Sequence, residues 1–305
     1  MRLKWQFGSR AWFRGIIKRS VGCISTRKIS GIPLDSIERL CDFSRAMRHS
    51  STDLAVLHES FESHGWLVLR NVVQRTVVEE LNRVFDQLMG TPESQAGSGI
   101  QQRPNSSRGN PVLLRHLYDG LAELVCELLR TSSVQLLQDT LLLKPPATND
   151  RIALHQDYSY TGFLDPPTMV SVGLALTDAS VEDGCLYVID SSHRWGLAGD
   201  FHIFAAHLQT QVDGSLSPQQ RELVSKSKVP LEVRAGDVTI HHCLTLHGSD
   251  ENKSARPRKA IVAHVFSGDC RIVRDRLPTH AAAHFPTDAN GHPATPAFPI
   301  LHRIT

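Results

Sequence analysis

Residues 236–249 read Gly-Asp-Val-Thr-Ile-His-His-Cys-Leu-Thr-Leu-His-Gly-Ser. Gly236-Asp237 is a turn signal, Val238–Ile240 is a short apolar strand, and His247-Gly248-Ser249 is a polar exit. The same grammar recurs on both sides. Leu141–Leu143, Ile152–Leu154, Met169–Leu176, Cys185–Ile189 and Ala260–Phe266 are further short apolar runs. Pro145-Pro146, Asp165-Pro166-Pro167 and Asp183-Gly184 punctuate them. No helical period separates most of these runs, which disfavours a parallel α/β sheet. The pattern predicts a mainly β fold with some α: an antiparallel sandwich or barrel with helices packed on one sheet.

The helices come first in the chain. Thr52 is placed to cap a helix running to about Ser63 and ended by His64-Gly65. Trp66–Leu69 is a short strand. Thr76 and Glu79 have the spacing of a capping box. Leu81, Val84, Phe85 and Leu88 follow at helical spacing, and Gly90 stops that helix. Residues 91–112 are rich in Gly, Ser, Gln and Asn and read as a loop. Leu121, Leu124, Val125 and Leu128 mark another amphipathic helix. Residues 277–305 carry five prolines and read as an irregular tail. The expected division is a leader over 1–34, a single domain over 35–276 and the tail over 277–305.

Composition bounds the function. Of 305 residues, 41% are hydrophobic and 21% charged, as in an ordinary soluble globular chain. No run approaches the roughly 18 apolar residues of a membrane span. Six cysteines without a Cys-x-x-Cys pair argue against a zinc ribbon or disulfide scaffold and fit a reducing compartment. The net charge of +2 hides an asymmetry. Residues 1–34 hold eight Lys and Arg and no acid; the remainder has 25 bases against 31 acids, so a nucleic-acid-binding body is not expected. Within the leader, Trp12, Phe13, Ile16 and Ile17 share one helical face and Arg10, Arg14 and Lys18 the other. An Arg-rich, acid-free amphipathic start reads as a mitochondrial transit peptide. The alternatives are a basic tail, with a cytosolic or peroxisomal protein, although Arg303-Ile304-Thr305 is not a Ser-Lys-Leu address.

His155-Gln156-Asp157 is the first chemical candidate. On a strand, residues i and i+2 share a face, so His155 and Asp157 reach one point. The pair by itself has a bland explanation, a surface His–Asp hydrogen bond. Support lies ninety-two residues on, at His247, with Arg258 eleven residues further. If the strands bearing His247 and Arg258 pair antiparallel, the two sit side by side. Two histidines and one carboxylate form a facial triad, the ligand set of non-haem Fe(II) with open positions. A guanidinium beside it is a clamp for a planar carboxylate.

The chain resembles the phytanoyl-CoA dioxygenase family of Fe(II)- and 2-oxoglutarate-dependent oxygenases from about Phe61 to Asp269. The resemblance rests on Phe61-Glu-Ser-His-Gly65-Trp, Lys144-Pro-Pro, His155-Gln-Asp157, Asp183-Gly-Cys-Leu-Tyr-Val188, Ser191-Ser-His193-Arg194, His247-Gly-Ser249 and Arg258-Lys-Ala-Ile. It implies a double-stranded β-helix, or jelly roll, buttressed by N-terminal helices. It implies His155, Asp157 and His247 as iron ligands, and 2-oxoglutarate and O₂ as co-substrates. Arg258 would hold the distal carboxylate of 2-oxoglutarate with help from Ser249. Gln156 and Thr140 would line the same pocket, and Arg103 would match a basic residue reaching the co-substrate. Some members place a Trp at the position of Gly173, and Gly there leaves that wall open. Asp157 occupies the position that related halogenases leave to chloride, which favours hydroxylation. The implied substrate is a small molecule, such as a branched fatty acyl-CoA or a free acid.

The other histidines carry milder readings. His241 and His242 precede His247 on what reads as one strand and serve as hydrogen-bonding groups rather than ligands. His193 follows a turn, and His264 reads as structural or exposed. Cys185 and Cys243 read as buried small hydrophobes. Tyr158 and Tyr160 either line the substrate channel or pack in the core. Two further functions remain: a non-catalytic jelly-roll metal-binding or scaffold protein, and a cupin-like zinc or manganese enzyme in which Arg258 has no task.

Overall fold

The computed structural model describes residues 51–90, 99–110, 112–113, 121–199, 215–277 and 284–304. All belong to one unit, Leu40–Thr305. The leader lies outside the described residues.

Three helices precede or interrupt the first strands: α1 (Ser51–His64), α2 (Arg75–Met89) and α3 (Leu121–Leu129). Gly65 ends α1 at φ +77°, its N–H bonded to the Phe61 carbonyl at 2.7 Å. The side chain of Thr52, the expected cap, lies outside the description. The Thr76–Glu79 capping box does not form. The helix starts earlier, with Gln74 in the cap position and no side-chain cap. Thr76 is thus already in the first turn, and Glu79 pairs with Arg75 at 3.0 Å instead.

The strands are β1 (Trp66–Leu69), β2 (Gln101–Pro104), β3 (Ser133–Lys144), β4 (Ile152–His155), β5 (Leu164–Asp165), β6 (Met169–Ala175), β7 (Leu186–Ile189), β8 (Lys228–Leu231), β9 (Val238–His242), β10 (His247–Ser249), β11 (Arg258–Ser267), β12 (Arg271–Ile272) and β13 (Ile300–Arg303). A seven-stranded sheet runs β1-β9-β6-β11-β3-β13, with β2 also pairing β3. A four-stranded sheet runs β4-β10-β7-β8, and β5 pairs β12. All named strand pairs are antiparallel.

Alternation divides the large sheet into two faces. Leu141, Leu143, Val170, Val172, Val238, Ile240, Ile261 and Val265 point outward and form one core with Phe61 of α1, Leu81 and Phe85 of α2, and Leu124 and Leu128 of α3. Each such fully buried side chain contributes about 1.5–3 kcal/mol, so this face anchors the sheet. The intervening positions, Thr140, Gly173, Thr239, His241, Arg258, Val262 and His264, line a cavity of about 1320 Å³. His155, His247 and Ser249 of the small sheet also line it.

Two sequence expectations are corrected here. The segment around residues 236–249 is not one strand. Thr245 N–H bonds the His242 carbonyl at 2.8 Å, and its hydroxyl bonds the Gly65 carbonyl at 2.8 Å. That turn carries the chain from β9 in the large sheet to β10 in the small one. His247 and Arg258 therefore do not pair side by side. The register partner of Arg258 is Lys144 on β3, while His247 partners His155 and Val188. The last residues are also not wholly irregular. Ile300–Arg303 adds to the edge of β3, and Phe298 is buried against Phe266 and Phe285.

Candidate metal centre

β4 delivers His155 at its last residue, and Asp157 sits two residues on, where the chain turns into the short helix Tyr158–Thr161. β10 delivers His247 as the register partner of His155. The Nε2 atoms of His155 and His247 each lie 3.6 Å from Asp157 Oδ1. That is beyond good hydrogen-bond range, and all three ligand atoms lie within 4.8 Å of one another. His155 Nδ1 donates to the Ala153 carbonyl at 2.8 Å, and His247 Nδ1 to the Thr245 carbonyl at 2.9 Å. A carbonyl only accepts, so both protons belong on Nδ1 and both Nε2 lone pairs face Asp157. This backbone clamp is the usual way a metal-ligating imidazole is oriented. The set of two imidazoles and one carboxylate therefore fits Fe(II).

The other oxygen of Asp157 is equally engaged. Ser171 on β6 donates its hydroxyl to Oδ2. His241 Nε2 lies 3.3 Å and His264 Nε2 3.5 Å from the same atom. Burial alone would raise the Asp157 pKa, but the four imidazoles packed around it, His247, His264, His155 and His241, hold it well below the carboxylate range. Burial, with His155 and His241 nearby, pushes His247 well below its ordinary value. Burial also works against protonated His155, yet its contacts with Asp157 outweigh this and raise it. An ionised carboxylate and a neutral imidazole are the forms a cation needs.

At the other end of the cavity stands Arg258, whose Nη1 donates to the Gly184 carbonyl at 2.6 Å. Gly184 is itself held close to the loop that follows β10. It sits at φ +65°, and a Cβ there would come within 2.5 Å of the Asp250 carbonyl. Burial lowers the Arg258 pKa, but a guanidinium keeps its charge. Ser249 and Thr140 line the cavity with it.

Two expected pocket residues lie elsewhere. Gln156 points away from the cavity, as alternation between His155 and Asp157 requires. Its amide spans the Gly196 and Leu244 carbonyls at 2.8 and 2.6 Å and accepts from Ala198 N–H at 2.7 Å. Arg103 is exposed and donates to the Leu88 carbonyl at 2.6 Å, while its neighbours Gln102 and Pro104 line the cavity. The Gly173 wall is also less open than expected. A Cβ there would meet Thr239 Oγ1 at 2.7 Å.

The sequence model described as phytanoyl-CoA dioxygenase (PhyH) matches residues 61–260. The chain belongs to the phytanoyl-CoA dioxygenase family. It is 23% identical over 234 residues to human "Phytanoyl-CoA dioxygenase, peroxisomal", covering 70% of this chain and 68% of that one. It is 29% identical over 157 residues to rice "Phytanoyl-CoA dioxygenase 1", covering 52% of this chain. The match spans about half the length of the rice relative, 53%. Among solved structures, the epimerase SnoN in complex with Fe3+, alpha ketoglutarate and nogalamycin RO superposes with a TM-score of 0.65 and 23% identity, over 83% of this chain and 100% of that one. That likeness fixes the jelly-roll fold of this family member.

Within that family fold, several side chains acquire places the sequence left open. His264 is not peripheral but faces the cavity beside Asp157. Ser171 was missed altogether. Both are polar residues in apolar strands at the inward phase, and that phase was the available signal. His242 points outward toward Phe61 and His193. His193 faces the Glu62 carbonyl at 3.2 Å. Tyr158 is core, its hydroxyl bonded to the Leu164 carbonyl at 2.9 Å, whereas Tyr160 lines the cavity edge-on to His155. Cys185 and Cys243 are buried thiols pushed up by desolvation and unsuited to nucleophilic work.

Proposed function

We propose that the protein is an Fe(II)- and 2-oxoglutarate-dependent dioxygenase that hydroxylates a small molecule. One observation carries this reading: a carboxylate-bridged pair of metal-ready imidazoles shares a cavity with a half-buried guanidinium. Fe(II) bound by His155, Asp157 and His247 would supply O₂-dependent oxidation coupled to conversion of 2-oxoglutarate to succinate and CO₂. The chain's own share is positioning. Arg258 and Ser249 would bind the distal carboxylate, and Arg258 fixes it in register through two parallel N–H donors. Thr140 would line the same subsite. Ser171, His241 and His264 hold Asp157 Oδ2, which leaves Oδ1 turned toward the two imidazoles. Tyr160, Phe163, Phe285 and Phe298 supply an apolar wall for the substrate.

A fatty acyl-CoA is the first substrate to test, because the relatives named above are phytanoyl-CoA dioxygenases. The acid-free leader favours mitochondrial import, whereas the human relative's name says peroxisomal. Among the described residues no helix is long and apolar enough to cross a membrane.

The test is succinate formation by anaerobically Fe(II)-loaded protein after O₂ is admitted, across a panel of acyl-CoAs and free acids. Stoichiometric succinate and hydroxylated product from one panel member is the expected outcome. Tight Fe(II) binding without any succinate would favour the non-catalytic metal-binding alternative.

A further inference from the structure

Lys144 is fully buried, at 0% exposure, directly across the β3–β11 pair from Arg258. Its ammonium nitrogen contacts Ser249 Oγ at 2.7 Å and the Asp250 carbonyl. Burying an ammonium is costly unless a counter-charge accompanies it. Here the nearby acids serve other cations: Asp250 pairs with Lys228 at 2.7 Å and Asp183 with Arg256 at 2.8 Å. A buried ammonium and a half-buried guanidinium thus stand side by side behind the Arg258–Ser249 wall of the cavity, and among the described residues neither has an ion pair of its own. An anion entering from the cavity would provide the missing charge.

We propose that Lys144 is a positioning residue for the co-substrate, acting through Ser249, and that it makes 2-oxoglutarate binding depend on pH. The proposal rests on the reading of Arg258 and Ser249 as the distal-carboxylate site. Its mechanism lies in the donors and acceptors. A charged ammonium has only N–H groups to offer, so Ser249 Oγ must accept from it. The serine's own proton is then free to donate into the cavity. A neutral amine has a lone pair and can take the Ser249 proton, turning that donor away. Protonated Lys144 therefore adds a charge and orients a hydroxyl; neutral Lys144 does neither.

The neighbours place this change near neutrality. Burial, then the charge of Arg258, lower Lys144 to about 7, against partial support from the charges of Asp250 and Asp150. Cys185 is pushed up to about 11 and stays neutral in this range. Asp150 accepts from Ile100 N–H at 3.0 Å. A dicarboxylate would raise the Lys144 pKa, so binding above neutrality takes up a proton.

The experiment is calorimetry of 2-oxoglutarate binding to full-length, anaerobic Fe(II)-loaded protein, in buffers of different ionisation enthalpy from about pH 6 to 9. The wild type should take up protons above neutrality and bind more weakly as pH rises. Lys144→Met should lose that uptake and bind about ten- to a hundredfold more weakly at pH 6, the range of a charge-assisted hydrogen bond. Its kcat at saturating 2-oxoglutarate should be near wild type. Combining Lys144→Met with Ser249→Ala should cost little more than either alone. If Lys144→Met does not fold, Lys144→Gln keeps a donor to Ser249 without the charge and should bind independently of pH. Wild-type proton uptake that persists in the Lys144 variant, or full additivity with Ser249→Ala, overturns the proposal. Unchanged binding in Arg258→Leu would instead overturn the carboxylate site on which it rests.

Discussion

Arg258 and Lys144 are register partners on β11 and β3, a half-buried guanidinium abreast of a fully buried ammonium, and among the described residues no carboxylate is bonded to either. That pairing sets two positive side chains next to Ser249, at the part of the cavity that Arg258 lines. The metal-ready triad stands on the facing sheet.

Arg258→Leu should raise the KM for 2-oxoglutarate by about two to three decades, because a buried carboxylate that loses its guanidinium costs about 3–5 kcal/mol. Fe(II) affinity should change little. Steady-state kinetics with a parallel metal titration reads both, and an unchanged KM would transfer the role to another base.

Asp157→Ala removes the only carboxylate in the triad. Fe(II) affinity should fall by at least about a hundredfold, given that losing an outer-shell partner alone costs about 10–100-fold. Product formation at the wild-type rate would reject the metal assignment.

Ser171→Ala tests the support of Asp157. Its hydroxyl donates to Oδ2 from β6, so its loss should weaken Fe(II) binding by about 10–100-fold while leaving the ligands in place. Wild-type affinity in an anaerobic titration would show that His241 and His264 suffice.

Asp183 contributes to the acid limb of stability. Burial would raise its pKa, but hydrogen bonds from Ser180, Ser254 and Arg256 bring it to about 2, below the ordinary 3.8. The folded pKa is depressed, so the stabilisation is complete above pH 3.8 and is lost as pH falls toward 2. Asp183→Asn should cost about 1–2 kcal/mol at neutral pH, discounted because Arg256 is 63% exposed. Denaturant melts should show the difference between variant and wild type shrinking as the pH is lowered through that window.

Removing residues 1–30 should preserve 2-oxoglutarate turnover and move a tagged protein from mitochondria to the cytosol. The basic, acid-free leader motivates this. Full-length protein found in peroxisomes would reject the import reading, and a folded but inactive truncation would assign the leader to the enzyme.

Much of the fold and the triad was open to reading from the chain alone, for a local reason. Strand alternation and turn residues act over a few positions, so the short strands, the helices beside Leu81 and Leu124, and the shared face of His155 and Asp157 follow from neighbours. The distant pair His247 and Arg258 needed the pattern of the whole motif. Only the tertiary structure decided how the parts meet. It turns the chain at Cys243–Leu246, so that His241 and His247 lie in different sheets yet approach the same carboxylate. It brings Ser171 and His264 onto Asp157 and turns Gln156 and Arg103 away. It also sets Lys144 beside Arg258, one hundred and fourteen positions apart. Such contacts depend on which strands adjoin across two sheets, and that is settled by packing the whole core, which no local spacing records.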